Sequence, residues 1–153
     1  MSSERAFLRQ RLALVEQWLA NPDREFVYAG KGRARLRTSP PTRRDIAHER
    51  EARLLRKLLA QTQEDQVLTT LRSWRRRLGE FLVEHRQRYW QMQEAYDAWW
   101  HLPPDQREDV PRPPRPPSAR YIDQTGAPWI IDDQFLALLD DLIERLLKWL
   151  AEV

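Results

Sequence analysis

The chain contains no cysteine, which excludes disulfides, thiolate metal sites, thiol nucleophiles and iron–sulfur clusters. Glycine is nearly as scarce, at four in 153 residues, too few for the tight turns and phosphate-binding loops of a large β or α/β enzyme. No stretch reaches the roughly 18–20 consecutive apolar residues that cross a bilayer. The start, Met1-Ser2-Ser3-Glu4-Arg5, lacks the apolar run of a secretory signal. The expectation is a largely helical cytoplasmic protein without membrane contact, long enough for one domain or a small domain with an arm. Lysine is also rare: 23 of the 26 basic residues are arginine. Arginine suits bidentate contact with phosphate or carboxylate, although a GC-rich or thermophilic genome produces the same bias.

What is present is unevenly placed. Residues 1–90 hold 20 basic side chains against 11 acidic ones, and residues 91–153 hold 6 against 12. Such polarity separates the tasks of the two halves. Apolar positions Phe7, Leu8, Leu12, Val15, Trp18 and Leu19 recur at helical spacing and predict a first helix over about 3–20, stopped by Asn21-Pro22-Asp23. Glu25-Phe26-Val27-Tyr28 and Arg33-Ala34-Arg35-Leu36-Arg37 flank a glycine-containing turn and predict a short hairpin with Arg33, Arg35 and Arg37 on one face. After Pro40-Pro41, Thr42 and Asp45 have capping-box spacing and open a second helix ending near Gln61. Residues 1–61 thus read as a basic helix–hairpin–helix head.

Residues 62–102 read as a long rod, capped by Thr62 or Asp65. Its seam is heptad-like: Leu71, Trp74, Leu78, Phe81 and His85, continued by Tyr89, Met92, Tyr96 and Trp99. Such a rod exceeds the width of a compact domain, so it projects or lies against another chain unless Gly79 loosens it. Seven of the fifteen residues from Pro103 to Pro117 are proline, which predicts a stiff polyproline spacer over 103–118 rather than a packed element. Residues 119–153 read as a second hairpin, with Pro128 confining one strand to an edge, and an amphipathic interaction helix capped by Asp132 or Asp133. The fold class expected is mainly α with two short hairpins.

Catalytic signals are weak. Asp45 and His48 stand at metal-sharing spacing, but His85 and His101 have no matching carboxylate, so no metal is expected. Gly30-Lys31-Gly32 lacks P-loop spacing and the following Ser/Thr. The five serines lack nucleophile-elbow glycines. No catalytic residue and no cofactor are expected. The basic residues carry more weight. Lys31, Arg33, Arg35, Arg37, Arg43 and Arg44, with Arg75, Arg76 and Arg77 on the rod, have the composition of a phosphate-contacting surface. No recognition helix suggests base reading, so the expected partner is the backbone of DNA or RNA. Pairing with internal carboxylates or with a neighbouring chain's acidic helix is the competing explanation. Trp90, Trp99 and Trp100 on the rod, with Phe135, Leu139, Leu142, Leu146 and Trp149 on the last helix, are expected at protein interfaces of a homo- or hetero-oligomer. Base stacking is the alternative for the tryptophans.

The order helix, basic hairpin, helix within residues 3–60 resembles the W-type head-completion proteins of tailed phages. The likeness is carried by Phe26-Val27-Tyr28, the Gly30–Gly32 turn, Arg33-Ala34-Arg35-Leu36 and the segment with Thr38, Ser39 and Thr42. It covers about 40% of the chain and departs at Pro40-Pro41 and after residue 62. The resemblance implies a non-enzymatic ring subunit under the portal, located in the virion, where packaged DNA passes basic residues. Beside this connector reading stand a small helical subunit of an RNA-guided complex and a protein-only adaptor or inhibitor.

Overall fold

The computed structural model describes residues 3–20, 26–28, 34–36 and 43–152. Its described residues form five helices and two antiparallel two-stranded sheets. These are α1 (Glu4–Leu19), β1 (Phe26–Tyr28), β2 (Ala34–Leu36), α2 (Arg43–Gln61), α3 (Val67–Trp100), α4 (Pro104–Arg107), β3 (Ala119–Ile122), β4 (Pro128–Ile131) and α5 (Asp133–Glu152). The chain divides into two compact units, residues 1–71 with 141–153, and residues 72–140.

In the first unit, α1 and α2 pack together across the connection that holds β1 and β2. Those strands pair Phe26 with Leu36 and Tyr28 with Ala34, the hairpin expected from the sequence. The Gly30-Lys31-Gly32 turn and Thr42 lie outside the described residues. The core gathers Phe7, Leu8 and Val15 of α1, Ala52, Leu54, Leu55 and Leu58 of α2, Val67 and Leu71 at the start of α3, and Leu142 and Leu146 of α5. Apolar burial of this kind is the main stabilising contribution. Helix ends are tied by side chains distant in sequence. Ser3 caps α1 by accepting from the Ala6 amide. The Glu4 carboxylate accepts from the Leu68 amide at 2.9 Å, placing an anion at the positive start of α3. The Arg5 guanidinium donates to the carbonyls of Leu59 and Thr62 at the end of α2. Thr62 does not cap α3 as the sequence suggested: its hydroxyl bonds back to the Leu58 carbonyl at 2.6 Å. Between α1 and α2, Arg11 forms a two-pronged pair with Glu51, at 2.5 and 3.1 Å, and lies over the Trp18 ring at 5.0 Å. Trp18 stacks in turn on His48.

The second unit explains the long seam of α3. Trp74, Leu78, Phe81, His85, Tyr89, Met92, Tyr96 and Trp99 are all buried or half-buried. They need no other chain to cover them. The proline-rich segment begins with the short turn α4 and then runs back along α3. Trp99 Nε1 donates to the Val110 carbonyl at 3.0 Å, Arg112 donates to the Tyr96 hydroxyl at 3.1 Å, and His85 Nε2 lies 2.8 Å from the Pro117 carbonyl. The geometry is commensurate: seven residues at about 3.1 Å each in a polyproline strand cover the same ~21 Å as fourteen helical residues at about 1.5 Å each. The expected free spacer is therefore a packed element. Gly79 does not interrupt the helix. A Cβ there would stand 2.7 Å from Arg75 Nη1, so the bare backbone makes room for Arg75 to reach Asp140, Nε to Oδ1 2.8 Å.

β3 and β4 pair Tyr121 with Trp129 and Ile122 with Pro128. Alternation buries Ala119, Trp129 and Ile131 and exposes Arg120, Ile122 and Ile130. Tyr121 meets Phe81 edge-on at 5.3 Å. The turn is organised by Asp123, whose Oδ1 accepts from the Thr125 amide, the Thr125 hydroxyl and the Ala127 amide, while Oδ2 accepts from Trp129 Nε1 at 2.7 Å. Gly126 takes the left-handed position, φ 84°, that closes the turn. Asp123→Ala is expected to lower unfolding free energy by about 2 kcal/mol, since several donors lose a charged acceptor at once. Urea denaturation followed by tryptophan fluorescence measures it, and an unchanged midpoint contradicts the role given to Asp123. Asp132, not Asp133, caps α5, accepting from the Phe135 amide at 2.8 Å.

Candidate functional site

The described arginines differ in what they meet. Arg11, Arg56, Arg75 and Arg86 each meet a carboxylate, of Glu51, Glu16, Asp140 and Asp133 respectively. The hydrogen bond and charge of Arg86 hold the Asp133 carboxyl below its usual range. Arg72, Arg76 and Arg77, within two turns of α3, are exposed and have no ion-pair partner among the described residues. Arg75, grouped with them on sequence, is instead matched by Asp140. Arg35 sits in β2, and Arg43 and Arg44 in the first turn of α2. Lys31, Arg33 and Arg37 lie outside the described residues. The exposed arginine turn of α3 is thus the part of the expected phosphate surface whose side-chain exposure is described.

The aromatic end of α3 is largely satisfied within the unit. Arg112 lies over the rings of Tyr96, Trp99 and Trp100 at 5.7, 5.9 and 5.2 Å, and Arg107 over Trp99 and Trp100 at 5.8 and 5.3 Å. The Arg107 guanidinium also donates to the carbonyls of Trp100 and Leu102, closing the end of the helix. The Arg112 hydrogen bond pulls the Tyr96 hydroxyl below its ordinary pKa, with a smaller push from Trp100. Trp99, expected at an interface, is half-buried under its own chain's arginines. Trp100 is 43% exposed and Trp90 52%. The arginines of the proline-rich segment were missed as aromatic partners because the segment reads as a spacer; Arg107 and Arg112, shortly downstream of Trp99-Trp100, were the available signal.

On α5 the expectation of an interface is corrected. Phe135, Leu139, Leu142 and Leu146 are at most 2% exposed, because the wide apolar stripe is spent on the chain's own core. Trp149 is half-buried, meets the Phe7 ring at 6.0 Å, and its buried Nε1 finds no hydrogen-bond partner among the described residues. Exposed apolar residues include Leu147 and Leu150 on the other face of α5, Val83 and Trp90 on the outer face of α3, and Ile122 and Ile130 on the hairpin.

Between α3 and the β3–β4 hairpin runs an open groove of about 620 Å³, lined among others by His85, Trp90, Glu94, Asp97, Pro117 and Ile130. His85 is engaged by Pro117, His101 Nδ1 lies 2.6 Å from the Asp97 carbonyl, and His48 is stacked on Trp18. Among the described residues no three His, Cys, Asp or Glu side chains gather where a metal would be held, and no helix is long and apolar enough to cross a membrane. The arrangement offers surfaces for binding: exposed guanidinium groups at one end of α3, and exposed Val83 and Trp90 further along the helix. Comparison with protein-family models, with curated proteins and with solved structures finds no match to this chain.

Proposed function

We propose that this protein is a non-enzymatic subunit of a larger assembly that holds the phosphate backbone of DNA or RNA without reading its sequence. One observation carries the reading: Arg72, Arg76 and Arg77 are exposed, grouped within two turns of one helix and without an ion-pair partner among the described residues, whereas Arg75 between them is matched by Asp140. Exposed guanidinium groups grouped on one helix attract phosphate electrostatically. The basic residues from Lys31 to Arg44 extend the same composition. The resemblance of residues 3–60 gives this proposal its sharpest form, a head–tail connector, and a subunit of an RNA-guided complex is its second form.

Fluorescence anisotropy with labelled duplex and single-stranded oligonucleotides of mixed sequence tests it. Binding is expected to weaken steeply with salt and to vanish when Arg33, Arg35 and Arg37 are changed to Glu. Arg77→Gln is expected to flatten the log–log salt slope on duplex by about 0.9, the contribution of one phosphate contact. Binding that ignores salt overturns the phosphate-backbone contact, and no binding at all overturns the proposal in favour of a protein-only adaptor. Closed rings in electron micrographs favour the connector form, and co-purifying RNA the RNA-guided form.

A further inference from the structure

The outer face of α3, opposite the covered seam, has its own order. Successive residues turn by about 100°, so positions seven apart share a face. Along this face lie Arg72 and Arg76, then Gly79, Val83, Arg86 and Gln87, then Trp90, and finally Glu94 and Asp97. All except Gly79 are exposed, Val83 by 55% and Trp90 by 52%. The stripe is basic at its N-terminal end, apolar in its middle and acidic at its C-terminal end. Arg72, Arg76, Glu94 and Asp97 make no ion pair among the described residues; the Asp97 carboxylate accepts a bond from Gln93. The central charge, Arg86, is already matched by Asp133.

A helix face with this order is complementary to itself when reversed. Laid antiparallel on a second copy so that Val83 faces Trp90, position 86 falls opposite 87, Arg76 opposite Asp97, Gly79 opposite Glu94, and Arg72 opposite His101. Every contact is then made twice across a two-fold axis near residues 86 and 87, the closed geometry of an isologous dimer. The parallel arrangement would set Arg76 against Arg76 and Asp97 against Asp97. We infer that this face of α3 docks a second copy of the same chain, antiparallel, with Val83 and Trp90 as its apolar centre and Arg76–Asp97 contacts at both ends. Charge complementarity chooses the occupant. Trp90 fits the large aromatic anchor of an interface centre, ringed by polar contacts that exclude water. The inference does not rest on the nucleic-acid reading. Arg77, about 100° around the helix from Arg76, stays clear of the contact and open to phosphate. A ring-forming connector would need a second, heterologous contact in addition.

Sedimentation velocity and light scattering of the full chain, without nucleic acid and at up to about 100 μM, test it. A concentration-dependent dimer is expected. Trp90→Ala is expected to weaken it by roughly tenfold or more, as loss of a central aromatic anchor does. Arg76→Glu and Asp97→Arg should each weaken it, and the double exchange Arg76→Glu/Asp97→Arg should restore it. Because the chain has no cysteine, Gln87→Cys reports register without background: oxidation should link two copies near the axis, whereas Arg88→Cys, on another face, should not. A monomer throughout, a charge exchange that fails to restore the dimer, or equal cross-linking at positions 87 and 88 overturns the inference. Loss of anisotropy signal with the dimer intact would sink the nucleic-acid proposal and leave this one standing.

Discussion

Replacing Glu51 with alanine is expected to lower the unfolding free energy by about 3 kcal/mol, enough to drop the melting temperature by on the order of 10 °C. The side chains of Arg11 and Glu51 are 11% and 6% exposed, so both charges have left most of their water. Each is tolerated there because the other is present: the pair is two-pronged, and the Arg11 guanidinium rests on Trp18. Removing the carboxylate leaves a guanidinium that cannot discharge itself by losing a proton. The cost is that of the stranded charge rather than the net worth of the pair. Replacing both partners with apolar side chains of similar length, Arg11→Met with Glu51→Leu, is therefore expected to recover most of the loss. Urea unfolding of the two single variants and the double variant forms a cycle that separates these quantities. If Glu51→Ala unfolds like the wild type, Arg11 is not held as described. If the double variant is as unstable as Glu51→Ala, stranded charge is not the cause.

Such a pair marks what can and cannot be read from the sequence. The element order was legible because its signals are local. Apolar positions three and four apart mark α1 and α5, Ser39-Pro40-Pro41 breaks the chain before α2, and the turn residues Asp123–Gly126 separate β3 from β4. The seam of α3 was also legible, residue by residue. What covers it was not. A periodic seam states that something packs there, and both another chain and the chain's own proline-rich strand satisfy it. That strand was read from proline content alone, whereas its path depends on Val110, Arg112 and Pro117 matching Trp99, Tyr96 and His85 in rise. Helix capping shows the same division. Ser3 and Asp132 cap their own helices and were visible as types or positions, but Glu4 serving Leu68 spans 64 residues and leaves no local trace. Arginine pairing is likewise non-local: nothing near Arg75 distinguishes it from Arg76, and only Asp140 does so in the fold. For the candidate site, the sequence pointed to basic and aromatic residue types, while the fold divided them into matched and exposed members.

The same division yields the second large effect, at Leu142. On sequence it belongs to an apolar stripe wide enough to suggest a partner, and an interface leucine cut to alanine would weaken assembly while leaving the isolated fold nearly intact. In the structure Leu142 is fully buried, in the unit that also buries Leu8, Leu55 and Leu58. Truncation there removes three carbons from a close-packed interior and leaves a void that neighbours refill only in part. Leu142→Ala is expected to cost about 3 kcal/mol, within the range of about 2–5 for buried leucine. The cost should be the same at low and high protein concentration, since it arises inside one chain. Trp90→Ala provides the opposite signature: exposed in the fold, it should leave the unfolding midpoint of dilute protein within about 0.5 kcal/mol of wild type. Denaturation at two concentrations a hundredfold apart reads both variants. A Leu142→Ala protein as stable as wild type when dilute would return α5 to the role of an interaction helix, and with it the division between covered and open surfaces drawn from the fold.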